Sequence, residues 1–263
     1  MLAYSYHQPK RLKTDAPLLV FLHGLLGDGH DWQACIEHLS DWPCITLDLP
    51  GHGQSKHIVC DDFAHVCQLI SDTLLTLIKD NSSIVLIGYS LGGRIAMHGI
   101  ANHAFNGLYI PLAMIEGGNF GLQTKQEKQQ RWQADCDWAN RFKSEPIEQV
   151  LNDWYRQAVF SSLNHAQRQT FIRRRSANLG PAIGHMLQAT SLAKQSYLLN
   201  ELRNSSTQLH YICGEKDHKF SQMAQASGLA FSQIANAGHN VHKEQPQAFA
   251  DQIKERICTH FGE

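Results

Sequence analysis

The stretch Ile84-Val85-Leu86-Ile87-Gly88-Tyr89-Ser90-Leu91-Gly92-Gly93-Arg94-Ile95-Ala96-Met97 decides how this chain folds. Four consecutive apolar residues, two of them Ile, form a strand-sized run with no polar face, as a strand buried on both sides requires. Gly88-Tyr89-Ser90-Leu91-Gly92 is a G-x-S-x-G string, and a helical run follows it. That order places a serine on a tight strand-to-helix turn, which needs small residues on either side of it. The turn holds the Ser90 hydroxyl at the carboxyl end of a sheet, as a nucleophile or base must be held.

The surroundings repeat the pattern. Leu18–Leu22, Cys44–Leu49, Leu112–Glu116 and Leu209–Cys213 are further apolar runs, and Phe63–Lys79 and Pro246–Phe261 have helical spacing. Alternating buried strands and helices predict an α/β fold with a mostly parallel sheet covered on both faces. From about 120 to 200 strand signals stop and helical periodicity takes over. The expected division is a core of residues 1–118 and 201–263, interrupted by a helical cap over 119–200. Residues 120–180 hold ten Lys+Arg against six Asp+Glu, a balance of +4, which leaves −5 on the rest of the chain. A basic helical lid on an acidic core suits an anionic ligand.

Composition bounds the alternatives. The chain has 263 residues, 43% hydrophobic and 18% charged, with a formal net charge of −1. Disorder and a globally basic nucleic-acid binder are excluded. No apolar run reaches the ~18–20 residues of a membrane span, and no signal peptide is visible. Seven cysteines without a C-x-x-C pair read as thiols of a reducing compartment, so a cytoplasmic location is expected. Oligomeric state stays open, with a monomer compatible. No P-loop Gly-Lys-Ser/Thr follows the glycines, and the Gly24, Gly27 and Gly29 spacing is no dinucleotide fingerprint. Without H-E-x-x-H or paired Cys/His ligands, neither a metal nor another cofactor is expected.

In folds built on this serine turn, the acid follows the Ser and the His comes last. Ala237-Gly238-His239-Asn240, just ahead of the final helix, makes His239 the expected base, with His242 its near competitor. Cys213-Gly214-Glu215-Lys216-Asp217 ends the penultimate strand signal; Asp217 is chosen over Glu215. Asp48, which precedes the Ser, reads as a turn residue, and His23 as a hydrogen-bonding residue at a strand end. The loop His23-Gly24-Leu25-Leu26-Gly27 supplies one oxyanion-hole N–H and the residue after the serine the other, which gives Leu25 and Leu91.

His23-Gly24, Asp48-Leu49-Pro50-Gly51-His52-Gly53, the Ser90 turn and Ala237–Asn240 together resemble the α/β-hydrolase superfamily. More narrowly, the chain resembles its 2-succinyl-6-hydroxy-2,4-cyclohexadiene-1-carboxylate synthase family of menaquinone biosynthesis. The resemblance runs from about residue 17 to 250. It is carried by Gly88–Arg94, Glu116-Gly117-Gly118-Asn119-Phe120-Gly121-Leu122, Asp153-Trp154-Tyr155, Arg175-Ser176-Ala177-Asn178 and Cys213–Phe220. It implies a lyase that eliminates pyruvate from a small-molecule tricarboxylate, 2-succinyl-5-enolpyruvyl-6-hydroxy-3-cyclohexene-1-carboxylate. It also implies substrate binding by Tyr89, Arg94, Arg131, Trp154 and Arg175; in the Arg173-Arg174-Arg175 run, Ser-x-Asn follows Arg175 as in the family motif. A serine hydrolase, an esterase or C–C bond hydrolase on the same Ser, Asp and His, is the alternative. A non-catalytic binding module is disfavoured because all three residues are intact.

Overall fold

A computed structural model describes residues 1–11, 16–78 and 82–262. Its centre is a seven-stranded sheet of β1 (Tyr4–His7), β2 (Leu18–Leu22), β3 (Cys44–Leu47), β4 (Ser83–Tyr89), β5 (Tyr109–Glu116), β6 (Gln208–Gly214) and β7 (Ala230–Ile234). The spatial order is β1-β3-β2-β4-β5-β6-β7; β1 is antiparallel to β3 and every other pairing is parallel.

Successive strand residues face opposite sides of a sheet, and here both sides are buried. Leu18, Val20 and Leu22 of β2 join one apolar core, while Leu19 and Phe21 join the other. The first is covered by α2 (Phe63–Leu75), α3 (Leu91–Ala101) and, further along the chain, α8 (Leu199–Arg203) and α9 (His218–Ser227). The second lies under α1 (Gln33–Ile36), α10 (Val241–Glu244) and α11 (Pro246–Phe261). This double cover explains why the strands read as unbroken apolar runs.

Between β5 and β6 come α4 (Lys125–Ser144), α5 (Ile147–Trp154), α6 (His165–Arg175) and α7 (Gly180–Ala189), followed by α8. Both α4 and α6 start at capping boxes, Thr124 with Glu127 and Asn164 with Gln167. These helices own a third apolar cluster of Phe142, Val150, Leu151, Tyr155, Leu163, Ile172 and Ile183, which meets Leu26 of the core loop.

Some boundaries differ from the sequence reading. β3 stops at Leu47: the Asp48 N–H still reaches the Ala3 carbonyl, but the Leu49 N–H turns away to His23 Nε2, and the Asp48 carboxylate accepts from the Gly29 and Gln54 N–H groups of the turn. The helix expected over Phe63–Lys79 ends at Leu75, where the Thr76 N–H and hydroxyl both donate to the Thr73 carbonyl. Lys79, like Glu263 at the end of the expected core, lies outside the described residues.

Candidate active site

Ser90 caps the amino end of α3 at φ 48° and ψ −103°, a left-handed conformation that strains any residue with a Cβ. The neighbours hold it there. The Ser90 N–H donates to the Glu116 carbonyl at 2.8 Å and the Gly92 N–H to the His23 carbonyl at 3.1 Å. A Cβ on Gly88 would stand 2.6 Å from the Gly92 carbonyl oxygen, so the turn closes only with glycine there. Leu91 occupies the first position of α3, where a backbone N–H has no acceptor within the helix.

The acid and the imidazole come from the two loops that follow β6 and β7. Asp217 caps the amino end of α9, and its Oδ2 lies 2.6 Å from His239 Nδ1, with both side chains largely withdrawn from solvent. The arrangement leaves Nε2 as the ring's free nitrogen. Gly117, at φ 58°, makes room for the ring: a Cβ there would be 2.7 Å from His239 Cε1. Glu215, the other carboxylate on this segment, is exposed and accepts from the Asn236 N–H at 3.0 Å instead. His242 does not compete for Asp217; its Nδ1 lies 2.7 Å from Glu116 Oε2. Asp48, as expected of a turn residue, and His23, as expected of a strand-end residue, make the hydrogen bonds that end β3. His52 does similar work, with Nε2 accepting from the Leu26 N–H at 3.0 Å. Burial pushes the His52 imidazole down to about 3, as befits a neutral acceptor.

A cavity of about 560 Å³ opens between the sheet's carboxyl edge and the inserted helices. Ser90, Asp217, His239, Leu25, Leu91, Tyr89, Arg94, Arg131, Trp154 and Arg175 all line it. Every residue expected to react with or bind the substrate is thus brought to one space. The Arg173-Arg174-Arg175 run is resolved by burial: Arg175 is 6% exposed, whereas Arg173 and Arg174 face solvent.

The cations in the cavity differ in what they already hold. Arg175 donates to Asp31 at 2.5 Å, and Lys243 reaches the same carboxylate at 2.9 Å. Burial alone would raise the Asp31 carboxyl, but Arg175 and Lys243 hold it well below the usual carboxylate range. Arg131 Nε donates to Asp135 Oδ1 at 2.8 Å. Arg94 is different: its guanidinium donates to the Thr190 carbonyl at 2.9 Å and to Gln195 Oε1 at 3.5 Å. Among the described residues no carboxylate forms an ion pair with it. Burial, and after it the charge of Arg131, pushes the Arg94 guanidinium below its ordinary range. Asp31, Asp135, Asn119, Gln195, Asn240, Lys219 and Lys243 were not read as site residues. Asn119, Asn240 and Lys219 lie in motifs that the sequence offers, and Lys219 is the charged one among them, which is a usable signal. Among the described residues no group of three or more His, Cys, Asp or Glu could hold a metal ion.

The family model for the alpha/beta hydrolase fold matches residues 17–246. A 2-succinyl-6-hydroxy-2,4-cyclohexadiene-1-carboxylate synthase from Yersinia pestis (strain Pestoides F) is 45% identical over 240 residues, covering 90% of this chain and 86% of the relative. The chain belongs to the α/β-hydrolase family, on the branch of these synthases. Among solved structures, MenH from S. aureus is similar over 100% of both chains, with a TM-score of 0.89 at 25% identity. An esterase from Thermogutta terrifontis, 20% identical, covers 98% of this chain and 94% of its own with a TM-score of 0.76. That second likeness speaks for the α/β-hydrolase fold alone. Fold membership leaves the chemistry to the site.

Proposed function

We propose that this family member is a carbon–oxygen lyase of menaquinone biosynthesis. It takes 2-succinyl-5-enolpyruvyl-6-hydroxy-3-cyclohexene-1-carboxylate to 2-succinyl-6-hydroxy-2,4-cyclohexadiene-1-carboxylate and pyruvate. Similarity to the named synthases supports the reaction, and Arg94 is the observation that carries it to this cavity. A buried guanidinium held by two neutral oxygens and the face of the Phe63 ring, with no carboxylate paired to it among the described residues, suits an anion, and the substrate brings three carboxylates.

In this reading Ser90, His239 and Asp217 form the catalytic triad. His239 Nε2 takes the Ser90 hydroxyl proton as the serine oxygen removes a proton from the substrate ring. Asp217 holds the tautomer and stabilises the imidazolium. The electron pair left on carbon is delocalised toward the succinyl ketone, where the Leu25 and Leu91 N–H groups stabilise the negative oxygen. Such a donor contributes ~10²–10³ in rate. The pair then shifts through the ring and expels the enolpyruvyl oxygen, and protonation of the leaving enolate gives pyruvate. Atoms balance without water and without a covalent intermediate. Arg94, Arg131 and Arg175 hold carboxylates, and Tyr89 and Trp154 shape the ring's site, with residues 119–200 as the cap.

No helix among the described residues is long and apolar enough to cross a membrane. All seven cysteines are free thiols, which supports a reducing, cytoplasmic setting.

Purified protein given the enolpyruvyl substrate should release one pyruvate per diene formed. Rapid quench and intact-mass measurement should find no adduct on Ser90. A substrate-sized adduct that forms and decays at the turnover rate, or ester hydrolysis without pyruvate release, would return the protein to the serine-hydrolase reading.

A further inference from the structure

Two features of the sequence remain without a task in the proposed reaction: Glu116, the carboxylate of the Glu116-Gly117-Gly118 segment, and His242, the base that His239 displaced. They meet across 126 positions of sequence. Glu116 is fully buried at the end of β5 and His242 is 1% exposed at the start of α10. His242 Nδ1 lies 2.7 and 2.9 Å from the two carboxylate oxygens, and the His242 backbone N–H donates to one of them at 3.2 Å. A buried carboxylate that takes both hydrogen bonds from one residue fixes where that residue sits.

Glu116 has a second attachment. Its backbone carbonyl accepts the Ser90 N–H at 2.8 Å, so one residue grips both the turn carrying Ser90 and the loop that follows His239. The next residue, Gly117, supplies the floor under the His239 ring. Aromatic contacts continue the connection. The His242 ring lies 4.4 Å from Trp32 and 4.6 Å from Tyr89, and Tyr89 lies 5.3 Å from His239. Tyr89 also donates its hydroxyl to Asn240 Oδ1 at 2.6 Å, within the same loop. No water-exposed contact is needed to carry a shift of His242 to His239.

We propose that Glu116 and His242 are positioning residues whose buried pair sets the distance between the Ser90 turn and the His239 imidazole. This rests on the reading of His239 as the base. A misplacement of ~1 Å can reduce turnover ~10²-fold, and the spacing of Ser90 and His239 is where such an error would act.

Three variants separate the pair from simple stability. H242F keeps a ring between Trp32 and Tyr89 but strands the Glu116 charge. E116Q keeps an oxygen for the His242 donors. E116Q/H242F removes the pair and leaves no unpaired charge. We expect kcat to fall about 10- to 100-fold in H242F and in the double variant, with KM changed less than about 3-fold. E116Q should retain most of the activity. The low-field proton resonance of the His239–Asp217 hydrogen bond should shift or broaden in H242F and E116Q/H242F and persist in E116Q. Normal kcat and an unmoved resonance in a folded double variant would overturn the proposal, since the pair would then only stabilise the fold. H239A is measured beside them: a fully active H239A defeats the base assignment itself, whereas an inactive H239A with an active double variant defeats only the positioning pair.

Discussion

The two walls of the cavity are built differently. On the core side, Ser90, Asp217 and His239 sit on turns at strand ends, held by backbone hydrogen bonds into the sheet and by glycines that admit close approach. On the side of the helices between β5 and β6, Arg131 and Arg175 are steadied by carboxylates, Asp135 and Asp31. Among the reacting groups, the backbone fixes the Ser90 turn, and the Asp217 carboxylate fixes the His239 ring. Ion pairs hold the binding groups, and these can re-partner when an anionic ligand arrives. Arg94 belongs to the core by position, on α3, yet to the binding groups by chemistry, and it is the one of the three arginines with no ion-pair partner among the described residues.

If the core wall carries the chemistry, its substitutions must have the largest effect. S90A and H239A should lower kcat by ~10⁴-fold or more, and D217N by ~10⁴-fold through the wrong imidazole tautomer, with folding retained. E215Q should be nearly silent, because Glu215 faces solvent at a turn. Steady-state pyruvate release checks all four. A dead E215Q beside an active D217N would reverse the assignment of the acid.

The joint between the walls is Asp31, in the loop after β2, which Arg175 of the cap and Lys243 of the core both reach. D31N should destabilise the protein at pH 7 by about 3–5 kcal/mol, as when one partner of a buried pair is removed. The sign with pH follows from the lowered Asp31 carboxyl. Its contribution is complete above the unfolded value of ~3.9 and is lost as pH falls through the lower folded value. The denaturant midpoints of wild type and D31N should therefore keep a constant gap above about pH 4 and draw together only as pH falls from there toward the lower folded value. Parallel curves across that range would show that Asp31 is not the clamp.

Legibility in the sequence followed the same division. Leu18–Leu22 and Pro246–Phe261 were read with their observed bounds because a doubly buried strand and an amphipathic helix leave local patterns. β1 was missed: Tyr4 and Tyr6 lie exposed on an edge strand, so no apolar run marks it. The Ser90 turn and the His239 loop were visible as short strings, since their geometry demands particular residues at fixed spacing. The Asp31–Arg175 pair spans 144 positions and Glu116–His242 spans 126. Pairs closed only by the fold leave no periodic trace in the chain. Arg175 itself was chosen by its motif, yet its carboxylate partner could not be.

Arg94 tests whether an unpaired core charge is worth more than a paired cap charge. R94A should lower kcat/KM about 10- to 150-fold, from ~1.5–3 kcal/mol for a hydrogen bond to a charged group. Thermal stability should fall less than activity, because the arginine's partners are a carbonyl, an amide and the Phe63 ring rather than a buried carboxylate. If R94A instead unfolded the protein while sparing the kinetics of the folded fraction, Arg94 would be a structural tie between α3 and the end of α7.

Arg131 should give the smallest effect, and the comparison predicts its form as well as its size. Its side chain is 36% exposed at the cavity mouth and already bound to Asp135. Substrate must therefore compete both with water and with a standing ion pair, and half-exposed pairs contribute ~0.2–1 kcal/mol. Asp135 would keep one hydrogen bond after the loss, from the Ser191 hydroxyl to its other oxygen at 2.7 Å, and the glutamine amide of R131Q can still donate to it. R131Q should then lower kcat/KM by only about 2- to 5-fold at low ionic strength. Screening tightens to ~3 Å at 1 M salt, so that deficit should shrink as salt rises. The R94A deficit, arising inside the cavity where mobile ions are excluded, should persist over the same range. Measured together, the two salt series decide the matter: equal salt dependence in R94A and R131Q would mean that both charges act from solvent, and the distinction between the two walls would fail.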